Sequence, residues 1–148
     1  MAVFWFAARL WVGGVFAYSG FAKLAEPVEN FRAAMLQYGV VPYDLALPIS
    51  TVLPWFEIIL GIFLILGYAP RMSAFLLSLL ALSFLVLLGL SHLKTGHLPA
   101  ECGCFGKSGL SLSGRQALIL DSVNFLLGLG LYFLKRHWLS LDAWLRKR

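Results

Sequence analysis

One stretch decides the fold class: Met72-Ser-Ala-Phe-Leu-Leu-Ser-Leu-Leu-Ala-Leu-Ser-Phe-Leu-Val-Leu-Leu-Gly-Leu90. It carries no charged residue over the length that a membrane-spanning helix requires. The whole chain has 148 residues, of which 60% are hydrophobic and only 13% are charged. Because a water-soluble domain of this size cannot bury so much apolar surface, the sequence predicts an integral membrane protein.

Three further apolar stretches lie on either side of this one. They run from about 3 to 21, from about 45 to 68 and from about 116 to 134. Each is long enough to cross a bilayer as a helix. The tight break Ala69-Pro70-Arg71 makes the second and third spans antiparallel neighbours. We therefore predict an all-α, four-helix membrane bundle that forms a single domain, residues 1–148.

Two other segments have the amphipathic pattern of helices that lie on a membrane surface. After the first span, apolar residues recur at helical spacing from about 26 to 38, and Gly39 ends the pattern. In the tail, residues 135–148, tryptophan and leucine are interspersed with basic residues. We predict an interfacial helix at the first segment and an amphipathic cytoplasmic tail at the second.

The distribution of lysine and arginine predicts the orientation. One side of the bundle collects seven basic residues: Arg9, Arg71, Lys135, Arg136, Arg146, Lys147 and Arg148. The other side collects five: Lys23, Arg32, Lys94, Lys107 and Arg115. Because cytoplasmic segments are enriched in Lys and Arg, we place both termini in the cytoplasm of a multi-pass inner-membrane protein. The long polar loop, residues 92–115, then faces the periplasm or the cell exterior. We expect the Arg9 side chain to reach the membrane interface.

That loop contains the only two cysteines, in Glu101-Cys102-Gly103-Cys104-Phe105-Gly106-Lys107. Two residues of chain span at most roughly 7 Å, whereas a relaxed disulfide needs Cα atoms roughly 4.4–6.8 Å apart. Closing the pair therefore requires a bend, which Gly103 permits most easily. Strained, exposed disulfides are the labile or catalytic ones, and so short a loop would stabilise the fold little. The pattern favours a redox-active pair, whose extracytoplasmic placement would let the disulfide persist.

The charges around the pair oppose one another. Glu101 disfavours a thiolate, whereas Lys107, Arg115 and a protonated His97 favour it. We expect one cysteine to exchange with a partner's disulfide or thiolate and the other to resolve the mixed disulfide. The sequence leaves open which cysteine does which.

Two other functions fit the same loop. Its histidines and cysteines could hold zinc or cuprous copper, although one residue between the cysteines is tighter than the usual zinc spacing. The alternative ligands are His92, His97, Cys102 and Cys104. The second alternative is a non-catalytic scaffold that recruits a periplasmic enzyme. A nucleic-acid partner is not expected, because the basic residues lie at segment ends, and the oligomeric state stays open.

Ionisable residues inside the predicted spans are functional candidates, because burying them is costly. With a single cysteine pair, electrons must leave through a soluble partner or a membrane quinone, and no other cofactor is required. A quinone would need an apolar pocket below the loop with a polar anchor. Candidate anchors are Glu57, Lys23, Arg115 and Asp121, and candidate pocket residues are Glu57, Trp55 and Phe105. The structural alternative for Glu57 is a buried ion pair with Lys23 or Arg115. We expect Asp121 to have mainly a structural role. Arg115, six residues earlier, could form an ion pair with it, but this spacing is not ideal for a pair along one helix.

Several stretches together resemble the MauE family, the methylamine-utilisation membrane proteins of the wider DoxX-like group. They are Phe16-Ala-Tyr-Ser-Gly-Phe-Ala-Lys-Leu24, residues 31–38 with Pro42, Leu53-Pro-Trp-Phe-Glu-Ile-Ile-Leu-Gly61, Cys102-Gly-Cys-Phe-Gly106 and residues 115–121. The resemblance implies a four-helix membrane bundle that performs extracytoplasmic thiol–disulfide chemistry beside a thioredoxin-like partner. In methylamine users it implies help in maturing a disulfide-rich dehydrogenase subunit.

Overall fold

Five α-helices make up the part of the chain that the computed structural model describes, residues 2–96 and 112–134. They are α1 (Ala2–Leu24), α2 (Val28–Gln37), α3 (Tyr43–Leu66), α4 (Pro70–Thr95) and α5 (Gly114–Phe133). No strand occurs in these two ranges, which confirms the all-α class. By length and composition, α3, α4 and α5 could each cross a membrane. α1 has 23 residues, about 35 Å of helix, and its crossing of the membrane stays a prediction.

The helices α1 and α3 pack closely as an antiparallel pair, because small residues face each other along the contact. A Cβ atom added at Gly20 would lie 2.5 Å from the carbonyl oxygen of Pro54. About two turns earlier, at the middle of α1, a Cβ atom at Gly13 would lie 2.8 Å from the carbonyl oxygen of Gly61. Only glycine allows the two backbones to come so near, so these positions fix the register of α1 against α3.

The helices α4 and α5 form a second antiparallel pair, which packs against the first. Gly128 of α5 faces Ala74 and Ser78 of α4, and Arg71 Nε donates a hydrogen bond of 3.1 Å to the carbonyl oxygen of Leu134. All four long helices contribute to one core. Its buried residues are Val12, Phe16, Leu64, Ala74, Leu77, Ala81 and Leu131.

The short helix α2 confirms the helix expected after the first predicted span. Its buried residues are Phe31 and Met35, and Tyr38, which caps its C-terminus, packs against Leu88 of α4 and Ala117 of α5. α2 therefore lies at the end of the bundle where α1 and α4 finish and where α3 and α5 begin. We call this the loop-side end, because residues 97–111 join α4 to α5 there.

Two details differ from the expectation. α4 continues to Thr95 and stops at Gly96, whose φ of 71° is left-handed, so the helix extends beyond the apolar stretch that ends at Leu90. Arg9 was expected to reach the interface, but its side chain is only 2% exposed and lies 5.1 Å from the centre of the Phe6 ring. The cysteine-bearing segment 97–111 and the predicted tail 135–148 lie outside the described residues.

Candidate functional site

A buried ion pair joins α1 to α3. Lys23 Nζ in the last turn of α1 lies 2.7 Å from Oε1 and 2.9 Å from Oε2 of Glu57. Ser19, one turn earlier on α1, donates a hydrogen bond of 3.1 Å to Oε2. Both charged side chains are 0% exposed. Of the two partners expected for Glu57, the structure selects Lys23.

The Lys23 ammonium also contacts two other helices through aromatic rings. It lies 4.7 Å from the centre of the Phe31 ring on α2 and 4.8 Å from that of Phe84 on α4. Both distances fall within the range of a cation–π interaction. A buried pair is tolerated only when further contacts compensate the lost hydration, and here three hydrogen bonds and two rings do so. Lys23 therefore links α1, α2, α3 and α4.

The fifth helix adds two polar side chains on its buried face. Asp121 is 7% exposed and Asn124 is 1% exposed. They are three residues apart, so they lie next to each other on the same side of α5. Lys23 and Glu57 both act electrostatically on Asp121, which places these groups in one neighbourhood. We call Ser19, Lys23, Glu57, Asp121 and Asn124 the polar cluster.

Sequence reasoning found three members of this cluster and missed Ser19 and Asn124. Both could have been found from helix periodicity, because Ser19 precedes Lys23 by four residues and Asn124 follows Asp121 by three. The suggested pairing of Asp121 with Arg115 does not form. Arg115 is exposed while Asp121 is buried, since six residues separate them by about 240° around a helix.

Other predicted site residues lie away from the cluster. Trp55 is 55% exposed and, two residues before Glu57, points to the opposite side of α3, so these two do not line one pocket. Arg115 is exposed in the first turn of α5, and His92 is exposed in the last turn of α4. The remaining candidates lie outside the described residues: His97, Cys102, Gly103, Cys104 and Phe105. Within the described ranges no group of three or more His, Cys, Asp or Glu side chains could hold a metal ion.

An apolar groove runs between α1 and the first half of α5. Its volume is about 300 Å³, and its lining residues are Trp11, Leu112, Gln116, Ile119, Leu120 and Val123. It begins at Leu112, which directly follows the cysteine-bearing segment. Gln116 is the only polar side chain among the lining residues, and its Oε1 accepts a hydrogen bond of 3.1 Å from the backbone N–H of Ser113. None of the expected quinone anchors lines this groove.

One comparison with known proteins gives a match. The family model described as methylamine utilisation protein MauE matches residues 1–134. That range includes the polar cluster and both cysteines. No curated protein and no solved structure matches the chain.

Proposed function

The chain belongs to the MauE family, and on that premise we propose that it is a membrane thiol–disulfide oxidoreductase serving methylamine utilisation. In this proposal α1, α3, α4 and α5 are four spans of the inner membrane, with both termini in the cytoplasm. The Cys102/Cys104 pair then faces the periplasm, where disulfides persist. Its partner is a thioredoxin-fold protein or a client whose disulfides are being made, such as a maturing dehydrogenase subunit.

The observation that carries the proposal is the position of the two cysteines in the chain. They are the only cysteines, they are separated by one glycine, and they belong to the segment that joins α4 to α5 at the loop-side end. The buried face of the bundle below that end holds the polar cluster rather than apolar side chains alone. A cysteine pair on the aqueous side, in the connection between two helix ends, suits exchange with a soluble partner.

The exchange proceeds in two balanced steps. A thiolate of a reduced partner attacks the Cys102–Cys104 disulfide and forms a mixed disulfide, and the partner's second thiol then breaks it. The partner leaves with a disulfide, and the chain keeps two thiols that carry the two electrons and two protons. Re-forming the Cys102–Cys104 disulfide requires an acceptor for these electrons and protons, and a quinone, if bound, would supply that chemistry by becoming quinol. The groove beside Leu112 supports a quinone, because it is apolar and adjoins the cysteine-bearing segment.

Three described residues would assist the cysteines from the bundle. Arg115 is exposed in the first turn of α5, so its guanidinium is available to favour a thiolate in the preceding segment. The Lys23–Glu57 pair holds the last turn of α1 against the middle of α3. We assign Arg115 an electrostatic role and the ion pair a positioning role.

The test is alkylation trapping of the two thiols in membranes, across a dithiothreitol series, with and without added quinone. We expect a reversible two-electron transition at a potential well above the structural-disulfide range of roughly −300 mV. Cys102→Ser and Cys104→Ser should each abolish exchange, because neither variant can form the disulfide that the partner thiolate attacks. Ser108→Ala, in the same segment, is the matched control and should behave as the parent protein.

Three outcomes would contradict the proposal. Undiminished exchange in both cysteine variants would exclude a redox role for the pair. Thiols that react only after chelation would indicate a metal site. A disulfide that resists reduction throughout would be structural.

A further inference from the structure

Three buried polar atoms on α5 have no hydrogen-bond partner among the described residues: Asp121 Oδ2, Asn124 Oδ1 and Asn124 Nδ2. Their side chains are 7% and 1% exposed, so bulk water does not reach them. Buried polar groups are otherwise almost always hydrogen-bonded, to protein or to an ordered water. The Lys23–Glu57 pair does not account for these three atoms, since Glu57 binds Lys23 and Ser19 instead.

An internal water molecule would satisfy the hydrogen bonds that these atoms lack. A buried water needs two to four polar partners, and Asp121 and Asn124 offer three atoms from adjacent positions on one face of α5. The amide of Asn124 contributes both a donor and an acceptor. One water can therefore accept from Nδ2 and donate to a carboxyl oxygen of Asp121.

The charges of the cluster do not balance. It contains two carboxyl groups, Glu57 and Asp121, and one ammonium group, Lys23. The ammonium is engaged by both oxygens of Glu57 and flanked by two aromatic rings. The groups that act electrostatically on Asp121 are Lys23 from α1 and Glu57 from α3. The α4 residue that flanks Lys23 is the uncharged Phe84, and Asn124, one turn along α5 from Asp121, is neutral. An uncompensated carboxylate inside an apolar bundle is costly, and one proton removes the imbalance.

We propose that Asp121, Asn124 and an internal water form a binding site for one exchangeable proton, next to the Lys23–Glu57 pair. The proton resides on Asp121, and Asn124 orients the water that carries it in and out. We place the proton on Asp121 rather than on Glu57, because Lys23 and Ser19 already donate hydrogen bonds to both Glu57 oxygens. The site is thus a proton-binding site separate from the ion pair that joins α1 to α3.

The role of this site rests on the proposed function. When the two thiols reduce a quinone, two protons leave sulfur and two protons are taken up by the quinone oxygens. The Asp121 site would hold one of these protons in transit below the cysteine-bearing segment, with no net gain or loss over the cycle. Proton binding itself can be measured without any redox partner.

The test is infrared spectroscopy of the full-length protein in lipid nanodiscs, which detects the carbonyl stretch of a protonated carboxyl group. We expect such a band near neutral pH, shifted in D₂O because the proton exchanges. Asp121→Asn should remove the band, and Asp121→Glu should keep it at a shifted position. Asn124→Leu, which removes two of the water's three partner atoms, should keep the band but slow its exchange in D₂O. Asp44→Asn, an exposed acidic residue on α3, is the control and should change nothing.

Several results would overturn the assignment. A band that survives Asp121→Asn and disappears in Glu57→Gln would place the proton on the ion pair. Absence of any band, with stability that depends on sodium concentration, would indicate a cation in place of the proton. Failure of the cysteine exchange assay with the Asp121 band intact would refute the redox function but leave the proton site in place.

Discussion

Mutations that break the Lys23–Glu57 ion pair test the buried charged contact that the structure describes between α1 and α3. Both side chains are 0% exposed, and Glu57 accepts three hydrogen bonds, two from Lys23 and one from Ser19. Removing one partner of such a pair leaves an uncompensated buried charge, which lowers the free energy of unfolding by about 3–5 kcal/mol. We therefore expect Lys23→Met and Glu57→Leu each to be strongly destabilising.

The two single variants should differ in their free energy of unfolding. In Glu57→Leu the ammonium of Lys23 still has Asp121, with which it interacts electrostatically, and the rings of Phe31 and Phe84. In Lys23→Met the Glu57 carboxylate loses the only cation that pairs with it among the described residues, and the protonated Asp121 offers no charge in exchange. We expect Lys23→Met to be the more destabilising of the two, at the upper end of the range of about 3–5 kcal/mol.

The double variant Lys23→Met/Glu57→Leu should be more stable than either single variant. It leaves no unpaired charge at the contact, and apolar replacements of similar volume are often neutral relative to a buried pair. The remaining loss is the hydrogen bond of Ser19, about 1 kcal/mol. The measurement is the free energy of unfolding of all four proteins by denaturant titration in mixed micelles. Asp44→Asn, exposed on the same helix, should stay within about 0.5 kcal/mol of the parent.

Additive losses in the double variant would refute this reasoning. Additivity is the behaviour of sites that do not interact, and it would mean that the two side chains stabilise the bundle independently. A Glu57→Leu variant less stable than Lys23→Met would instead contradict the neighbourhood assigned to Asp121.

Two further variants test the helix contact and the proposed chemistry. Gly20→Ala places a Cβ atom 2.5 Å from the Pro54 carbonyl oxygen, so the helices must separate. The free energy of unfolding, measured by thermal unfolding, should fall by about 1–3 kcal/mol. Gly14→Ala, whose added Cβ atom meets nothing within 4 Å, should leave it unchanged. Arg115→Gln removes a cation that favours the thiolate, so it should slow iodoacetamide alkylation of the reduced cysteines several-fold at neutral pH without changing stability. An unchanged alkylation rate would show that Arg115 does not act on the cysteine pair.

The membrane class could be predicted from the sequence because a chain this apolar has no other stable form in a cell. The helix ends were predicted to within a few residues where glycine or proline marks them. The C-terminus of α4 is the exception. The apolar pattern stops at Leu90, but the polar residues that follow also favour helix, and Gly96 ends it five residues later than expected.

The partner of Glu57 could not be chosen from the sequence. Lys23 and Arg115 were both plausible, because either lies near the loop-side end of a span. The choice depends on how far α1 slides along α3, and that register is set by contacts such as Gly20 against Pro54. By contrast, the opposite directions of Trp55 and Glu57 follow from the 100° step of a helix and could have been deduced beforehand.

The contact of Lys23 with α2, α3 and α4 bears on how the protein is inserted during synthesis. In the proposed four-span topology α1 enters the membrane before α3, and the carboxylate that neutralises the Lys23 ammonium arrives 34 residues later. Until then, the long Lys23 side chain must extend to the aqueous interface to keep its charge hydrated. Once Glu57 has entered the bilayer, the ammonium can turn inward and the rings of Phe31 and Phe84 can close around it. The final depth of the first helix is therefore set after its own translation has ended, by the helices that follow it.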